Sequence, residues 1–256
     1  ACNILGGPPA NIDKWKGMLE GMPPYRINAD GALAEWLPEA LEDNYRHRHL
    51  SHLYALYERT APEFKTNKAL RQAALKALQY RLEFRREQGG GEMAFGLAQM
   101  GMAANLGNSQ IATEMLHCLS RRYFAPSLAT YHNAENLFNM DASGGFPALV
   151  MRTLAYSEVG LLRLLPACPS GWENGQIRGM AMRGGITLTK LKWGPHSISL
   201  TLTPHSDQHI RIETPAAFTS LQAKPRQAVL AKAPNQGNIT VQLQKNQQLT
   251  LQFLLD

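Results

Sequence analysis

Ile186-Thr187-Leu188-Thr189-Lys190-Leu191-Lys192-Trp193 alternates between apolar and polar residues. Successive side chains of a strand point to opposite faces, so this period of two predicts a β-strand with one buried side. The same period recurs over 197–203, 208–214, 239–243 and 249–254. Gly194-Pro195, Thr203-Pro204 and Asn235-Gln236-Gly237 supply turn chemistry between these runs. About six short strands at such spacing predict a small antiparallel β-sandwich. The Asn-Ile-Thr triplet at Asn238 falls inside this pattern and reads as strand sequence.

Upstream of about residue 160 the period changes. Leu70, Ala74, Leu75, Leu78 and Leu82 recur at helical spacing and predict one helix from Pro62 to Glu87, ended by Gly89-Gly90-Gly91. Further helices are expected over 12–22, 50–57, 92–106, 109–121 and 145–156, with Pro23-Pro24 stopping the first and Gly107-Asn108 closing the third. The predicted fold is α then β, with a helical unit over residues 1–160, a β-domain over 161–256 and a Pro- and Gly-rich joint between Pro166 and Gly175. Helical hairpins in succession bury their faces only against neighbours.

Composition narrows the function. Of the 256 residues, 44% are hydrophobic and 18% charged, which excludes a disordered chain. The net charge of +6 is spread out. Its two local clusters, Arg81/Arg85/Arg86 and Arg121/Arg122, read as solvated helix ends. They lack the interleaved aromatics of a nucleic-acid groove, so no nucleic-acid partner is expected. No apolar run approaches the ~20 residues of a membrane helix, so no membrane partner is expected. Cys2, Cys118 and Cys168 are odd in number and lack metal-ligand spacing; Cys118 reads as a small core residue.

Two polar clusters stand out. The first is Tyr45-Arg46-His47-Arg48-His49-Leu50-Ser51-His52. Its imidazoles suit a metal, but Arg46 and Arg48 repel a dication. Arginine and histidine equally suit donation to sugar hydroxyls, and the bland alternative is a helix start with His52 satisfied in the core. The second runs from Asn136 through Asn139 and Asp141 to Pro147. Asp141 precedes glycines and a helix, whose positive end attracts a negative side chain. A carboxylate facing a cleft there suits a general base that activates water; the alternative is that Asp141 or Ser143 is an N-cap. Trp36, in the loop after Pro23-Pro24-Tyr25, offers a ring for sugar stacking or for packing.

Taken in order, several strings resemble glycoside hydrolase family 95. They are Pro23-Pro24-Tyr25, Asp30 to Trp36, His47-Arg48-His49-Leu50-Ser51-His52-Leu53-Tyr54, Asn139-Met140-Asp141, Leu164-Leu165-Pro166-Ala167-Cys168-Pro169 with Trp172, and Gly179 through Gly185. The resemblance covers roughly residues 10 to 195. It implies an inverting hydrolase of terminal α-L-fucosyl or α-L-galactosyl residues on a glycan, with no cofactor and no metal. It also implies an (α/α)6 toroid with a β-domain on either side, of which this chain would hold the second part. Asp141 matches the general base, and Arg48 and His49 match part of the sugar grip; Trp36 and Asn139 are further candidates for substrate binding. Met140-Asp141-Ala142-Ser143 departs from the Ile-Asp-Gly-Asn common in the family, which leaves fucose and L-galactose both open.

The family's general acid lies in a Ser-Pro-Glu-Asn-like motif upstream of Pro23-Pro24-Tyr25, and this sequence has none. Glu35, Glu92 and Glu135 are nearby carboxylates to which the resemblance gives no role. The chain also opens Ala1-Cys2-Asn3 without a methionine. The expectation is therefore a C-terminal piece of a longer enzyme, partnered by the missing N-terminal half of the catalytic domain, with a secreted or periplasmic parent. The alternative from another class is a non-catalytic carbohydrate-binding or interaction fragment.

Overall fold

The computed structural model describes residues 6–7, 9–87 and 93–256. The expectations for Cys2, for Gly89-Gly90-Gly91 and for Glu92 fall outside these residues.

The helices are α1 (Pro9–Glu20), α2 (Pro62–Thr66), α3 (Lys68–Glu87), α4 (Met93–Leu106), α5 (Ser109–Arg122) and α6 (Asp141–Leu154). A 3-10 turn covers Ser51–Leu56, where a helix was expected. The single helix predicted from Pro62 to Glu87 is two. Asn67 is extended (φ −94°, ψ 104°) and its Oδ1 accepts from Leu70 N at 3.1 Å, so an asparagine cap restarts the helix as α3. No described helix is long and apolar enough to cross a membrane.

Helix α4 is buried almost all round, including Gln99 and Asn105. Most polar groups at that depth are bonded, although Gln99 Oε1 and Asn105 Oδ1 find no partner among the described residues. Gln99 Nε2 donates to Leu78 O (2.7 Å) and Asn105 Nδ2 to Tyr57 O (3.1 Å). Met100 and Ala103 of α4 share one core with Leu78, Leu82, Leu119 and Leu149 of the neighbouring helices. Cys118 packs on this core half-buried. Gly101 brings α6 and Tyr57 against α4, since an added Cβ would meet Leu149 Cδ2 at 2.9 Å and Tyr57 Cε2 at 3.0 Å. Of the basic cluster after Leu78, Arg86 is exposed near the helix end as expected, but Arg81 is wholly buried and Arg85 nearly so.

Between α5 and α6, where no element was predicted, lies a short hairpin. Strands β1 (Tyr131–Asn133) and β2 (Asn136–Phe138) pair antiparallel.

The β part contains ten strands in two five-stranded sheets rather than about six. In chain order they are β3 (Ala155–Glu158), β4 (Leu161–Leu164), β5 (Gly175–Met182), β6 (Ile186–Gly194), β7 (Ser197–Pro204), β8 (Gln208–Glu213), β9 (Phe218–Lys224), β10 (Val229–Ala233), β11 (Asn238–Leu243) and β12 (Leu249–Leu255). One sheet has the order β10-β11-β8-β4-β3, the other β5-β6-β7-β12-β9. The extra strands lacked a clean period of two. The four-residue strands β3 and β4 form a hairpin, β5 is interrupted by Gly179, and β10 is an edge strand with a bulge and no fully buried residue. Ala155 and Tyr156, expected to end a helix, therefore belong to a sheet, and the expected division at residue 160 falls inside the β3–β4 hairpin.

One pair departs from antiparallel order: β4 runs parallel to β8. The intervening chain includes β5, β6 and β7 of the other sheet, which gives the crossover a parallel pair requires. Alternation across Ile186–Trp193 also slips once. The register shifts between Leu188 and Lys190, and this bulge returns Leu191 and Trp193 to the inner face. Leu188, Leu191, Leu200, Ile212, Val241 and Leu251, from both sheets, merge into one core.

The two parts are joined by specific bonds. Thr60 N donates to Tyr156 Oη (3.1 Å) and Glu158 Oε1 (3.2 Å), and Lys65 is ion-paired with Glu158. Glu58 Oε2 lies 3.1 Å from Arg183 and 3.8 Å from Arg152.

Candidate active site

Asp141 is the first residue of α6. It does not cap the helix. The N-cap position is Met140, which makes no side-chain cap bond; Asn139 Oδ1, one residue earlier, accepts from Asp141 N at 2.7 Å and satisfies the first backbone N–H of the helix. The turn before the helix is pinned by Thr130, which is wholly buried; its hydroxyl bonds Asn139 O and lies 3.0 Å from Ser143 Oγ. Asn139 N in turn donates to Thr130 O at 2.8 Å. With its backbone so engaged, the turn leaves the Asp141 carboxylate exposed.

That carboxylate lines an open cleft of about 420 Å³ together with His49, Ser51, Tyr54, Leu97 and Met102. Apolar walls come from α4 and the 3-10 turn. Gly145 lets α6 approach α4, since a Cβ there would meet Leu97 Cδ1 at 3.1 Å. Asp141 is the one carboxylate lining the cleft among the described residues. Arg48 is exposed and, like Trp36 and Asn139, is not among the lining residues. The Trp36 carbonyl instead anchors its own loop, accepting from Arg26 Nε (3.1 Å) and Nη2 (2.7 Å).

The histidine-rich segment is held from below by Arg81, on α3. Its Nη1 donates to Asn44 O (2.9 Å) and His47 O (2.8 Å), and its Nη2 to Glu35 Oε2 (2.8 Å). Glu35 Oε1 lies 3.6 Å from His47 Nδ1, and the His47 and His49 rings meet edge-on at 5.1 Å. Burial pushes the Glu35 carboxyl up, but the charge and hydrogen bond of Arg81, with His52 and Asn44 N–H, outweigh it and hold the group below its usual range. Glu35 is thus spent as the counterion of Arg81. Glu135, the other described carboxylate without a role, lies exposed in the β1–β2 turn.

His52 faces inward, and among the described residues its buried Nδ1 has no partner. Burial, and then the positive charge of Arg81, push it down to about 4, against the pull of Glu35 and Asp43. No group of three or more His, Cys, Asp or Glu among the described residues is arranged to hold a metal. Sequence reasoning missed Arg81, Tyr54 and the α4 wall. Arg81 carried no usable signal, because a buried and an exposed helix arginine look alike in sequence. The α4 wall had one, in its unbroken apolar composition.

Residues 1–154 match the glycosyl hydrolase family 95 catalytic domain, and residues 156–251 match the glycoside hydrolase family 95 C-terminal domain. Alpha-L-fucosidase 2 of Arabidopsis thaliana is 32% identical over 181 residues, 67% of this chain and 21% of that protein. The chain thus spans about a fifth of the length of that relative. Among solved structures, a GH127 beta-L-arabinofuranosidase from Geobacillus stearothermophilus T6 is 11% identical, with a TM-score of 0.24 over 71% of this chain and 31% of that one. A family 30 xylanase from Clostridium acetobutylicum is 7% identical, with a TM-score of 0.21 over 27% of this chain and 20% of its own. Likeness at these scores does not bear on the fold. The two domain matches meet where α6 gives way to β3, and together they span nearly the whole sequence: the chain belongs to glycoside hydrolase family 95.

Proposed function

We propose that this chain carries the general-base side of an inverting glycoside hydrolase site that removes terminal α-L-fucosyl, or α-L-galactosyl, residues from glycans. One observation carries the reading: Asp141 lines a cleft shared with His49, and no other described carboxylate lines it. Inversion needs two carboxyl groups about 6.5–9.5 Å apart, one protonating the leaving oxygen and one taking a proton from water on the opposite face of the sugar. Asp141 takes the second role. The first belongs to a residue outside this chain, supplied by an upstream segment of the parent protein. His49 and Arg48 donate to sugar hydroxyls, while Tyr54 and the α4 wall offer apolar contact to the ring. In the same reading the helices are the second part of an (α/α)6 toroid, and the two sheets form a sandwich that follows it.

The test is turnover of an aryl α-L-fucoside and of 2-fucosyllactose. The chain alone is expected to give none above blank. The chain joined to its upstream coding sequence is expected to release the sugar with inverted anomeric configuration, and Asp141→Asn should abolish this. Robust turnover by the chain alone would overturn the missing-acid reading. Sugar affinity that survives Asp141→Asn, without hydrolysis in the extended protein, would favour a binding fragment instead.

A further inference from the structure

A second cavity, of about 370 Å³, opens between the helical part and the sheets, away from the Asp141 cleft. It is lined by Arg71 of α3, Asn105 of α4, Arg163 of β4, Glu213 of β8, Pro166 and Pro215, among others. Its charge is unbalanced. Among the described residues Glu213 is the one carboxylate lining it, and both of its oxygens are engaged: Arg163 Nε lies 2.7 Å from Oε2, and Arg211 Nη2 lies 2.7 Å from Oε1. Two guanidinium charges thus share one carboxylate before Arg71 is considered.

Arg71 has no carboxylate partner among the described residues; its hydrogen bond is a long one, Nη2 to Leu106 O at 3.4 Å. Arg163 is fixed more firmly, lying over the Tyr156 ring (5.6 Å) and donating from Nη1 to Asn105 O (3.4 Å). Burial, and then the like charge of Arg163, push the Arg71 guanidinium down, with Glu213 opposing. Two half-buried guanidiniums that repel each other across a cavity, with the local carboxylate already saturated, are the arrangement an oxyanion neutralises. Arginine forks match carboxylate, sulfate and phosphate geometry.

We propose that this cavity binds one small oxyanion group between Arg71 and Arg163, and that the bound anion clamps the helical part to the sheets. The group is either a free inorganic anion or the carboxylate of a uronic-acid sugar. Each source presents the same charged oxygens. The proposal does not depend on the role given to Asp141.

The test is calorimetric titration and thermal unfolding of the full chain with sodium phosphate, sodium sulfate and sodium glucuronate, against sodium chloride at matched ionic strength. Saturable stabilisation by at least one oxyanion, absent with chloride, is expected. Preference for phosphate or sulfate identifies the inorganic source, and preference for glucuronate the sugar source. Arg71→Gln should weaken binding by about tenfold or more, the size of one charge-assisted hydrogen bond. Arg71→Lys, which keeps the charge and loses the fork, should fall between. Should Arg71→Gln fail to fold, Pro215→Asp sets a carboxylate at the cavity lining with both arginines in place and should likewise weaken phosphate binding. Stabilisation no greater than that from chloride, or unchanged affinity in Arg71→Gln or in Pro215→Asp, would overturn the proposal.

Discussion

The two parts of this chain close their surfaces differently. In the sheets, Val159, Leu230 and Leu254 are the large hydrophobics left exposed among the described residues. In the helical part the series is long, from Trp15, Met18 and Leu19 on α1 through Trp36 and Leu41 to Leu137, Phe138 and Met140 beside the hairpin. The sheets bury their apolar faces against each other. The helical part buries α4 almost all round, yet leaves α1 and the hairpin with apolar faces that nothing among the described residues covers. A polar device also holds its site, Arg81 tying Glu35 to the backbone of Asn44 and His47, whereas the sheet core relies on aliphatic packing. The lesson is that a core closed on itself and a helical part with uncovered apolar faces can sit side by side in one polypeptide.

The largest expected effect tests that contrast. Arg81→Met strands the Glu35 carboxylate and two carbonyls and should cost about 3–5 kcal/mol in urea unfolding. Leu188→Ala, in the sheet core, should cost about 2–5 kcal/mol through its cavity. The two losses differ in kind. Arg81→Met should also shift the imidazole resonances of His47 and His49, and Leu188→Ala should leave them unmoved. If Arg81→Met unfolds the chain no more easily than a surface change, the segment is held by something other than this ion pair.

The same contrast explains what was legible. Period-two strands such as β7, β8 and β12 are visible because one face is buried and the other wet, so sequence records burial residue by residue. The bulge at Thr189-Lys190 was not, because pairing register depends on the neighbouring strand. Strands β3 and β4 escaped because their four-residue runs are too short to separate from a helix end. In the site, Asp141 and His49 were legible through chemistry that is unusual in sequence. Arg81 was not, because its burial depends on what Glu35 and the loop before His47 do in space. The alternative that Asp141 or Ser143 caps the helix could not be decided from sequence because both types suit that position, and the N-cap is Met140 instead.

A pH titration sharpens the contrast further. An unfolded histidine titrates near 6.5, and folded His52 near 4. Between those values the unfolded chain binds a proton that the folded chain does not, so stability is complete above the upper value and falls as pH drops toward the lower. The loss should reach roughly 3 kcal/mol at most. Glu35, held below its usual range, adds its own loss only at more acidic pH, where the unfolded carboxyl takes up a proton before the folded one does. Unfolding followed from neutral pH to pH values near 5 therefore reports on His52, and His52→Gln should flatten that limb. A slope unchanged by the substitution would show that another group titrates there.

The smallest expected effect concerns α1, where the contrast is most exposed to failure. Trp15 (47% exposed), Met18 (62%) and Leu19 (68%) form one apolar stripe at helical spacing. Were that stripe packed within this chain, removing it would cost several kcal/mol, as in any core. Lying in water, it should cost almost nothing: Trp15→Ser with Leu19→Ser is expected to change unfolding free energy by no more than about 0.5 kcal/mol per site. Its effect should appear in association instead. An apolar stripe of this kind favours contact with other apolar surface, so the doubly substituted chain should sediment as a smaller species, or bind less hydrophobic dye, than the original. A large loss of stability with unchanged sedimentation would mean that α1 is docked after all, and that the helical part closes its own core as the sheets do.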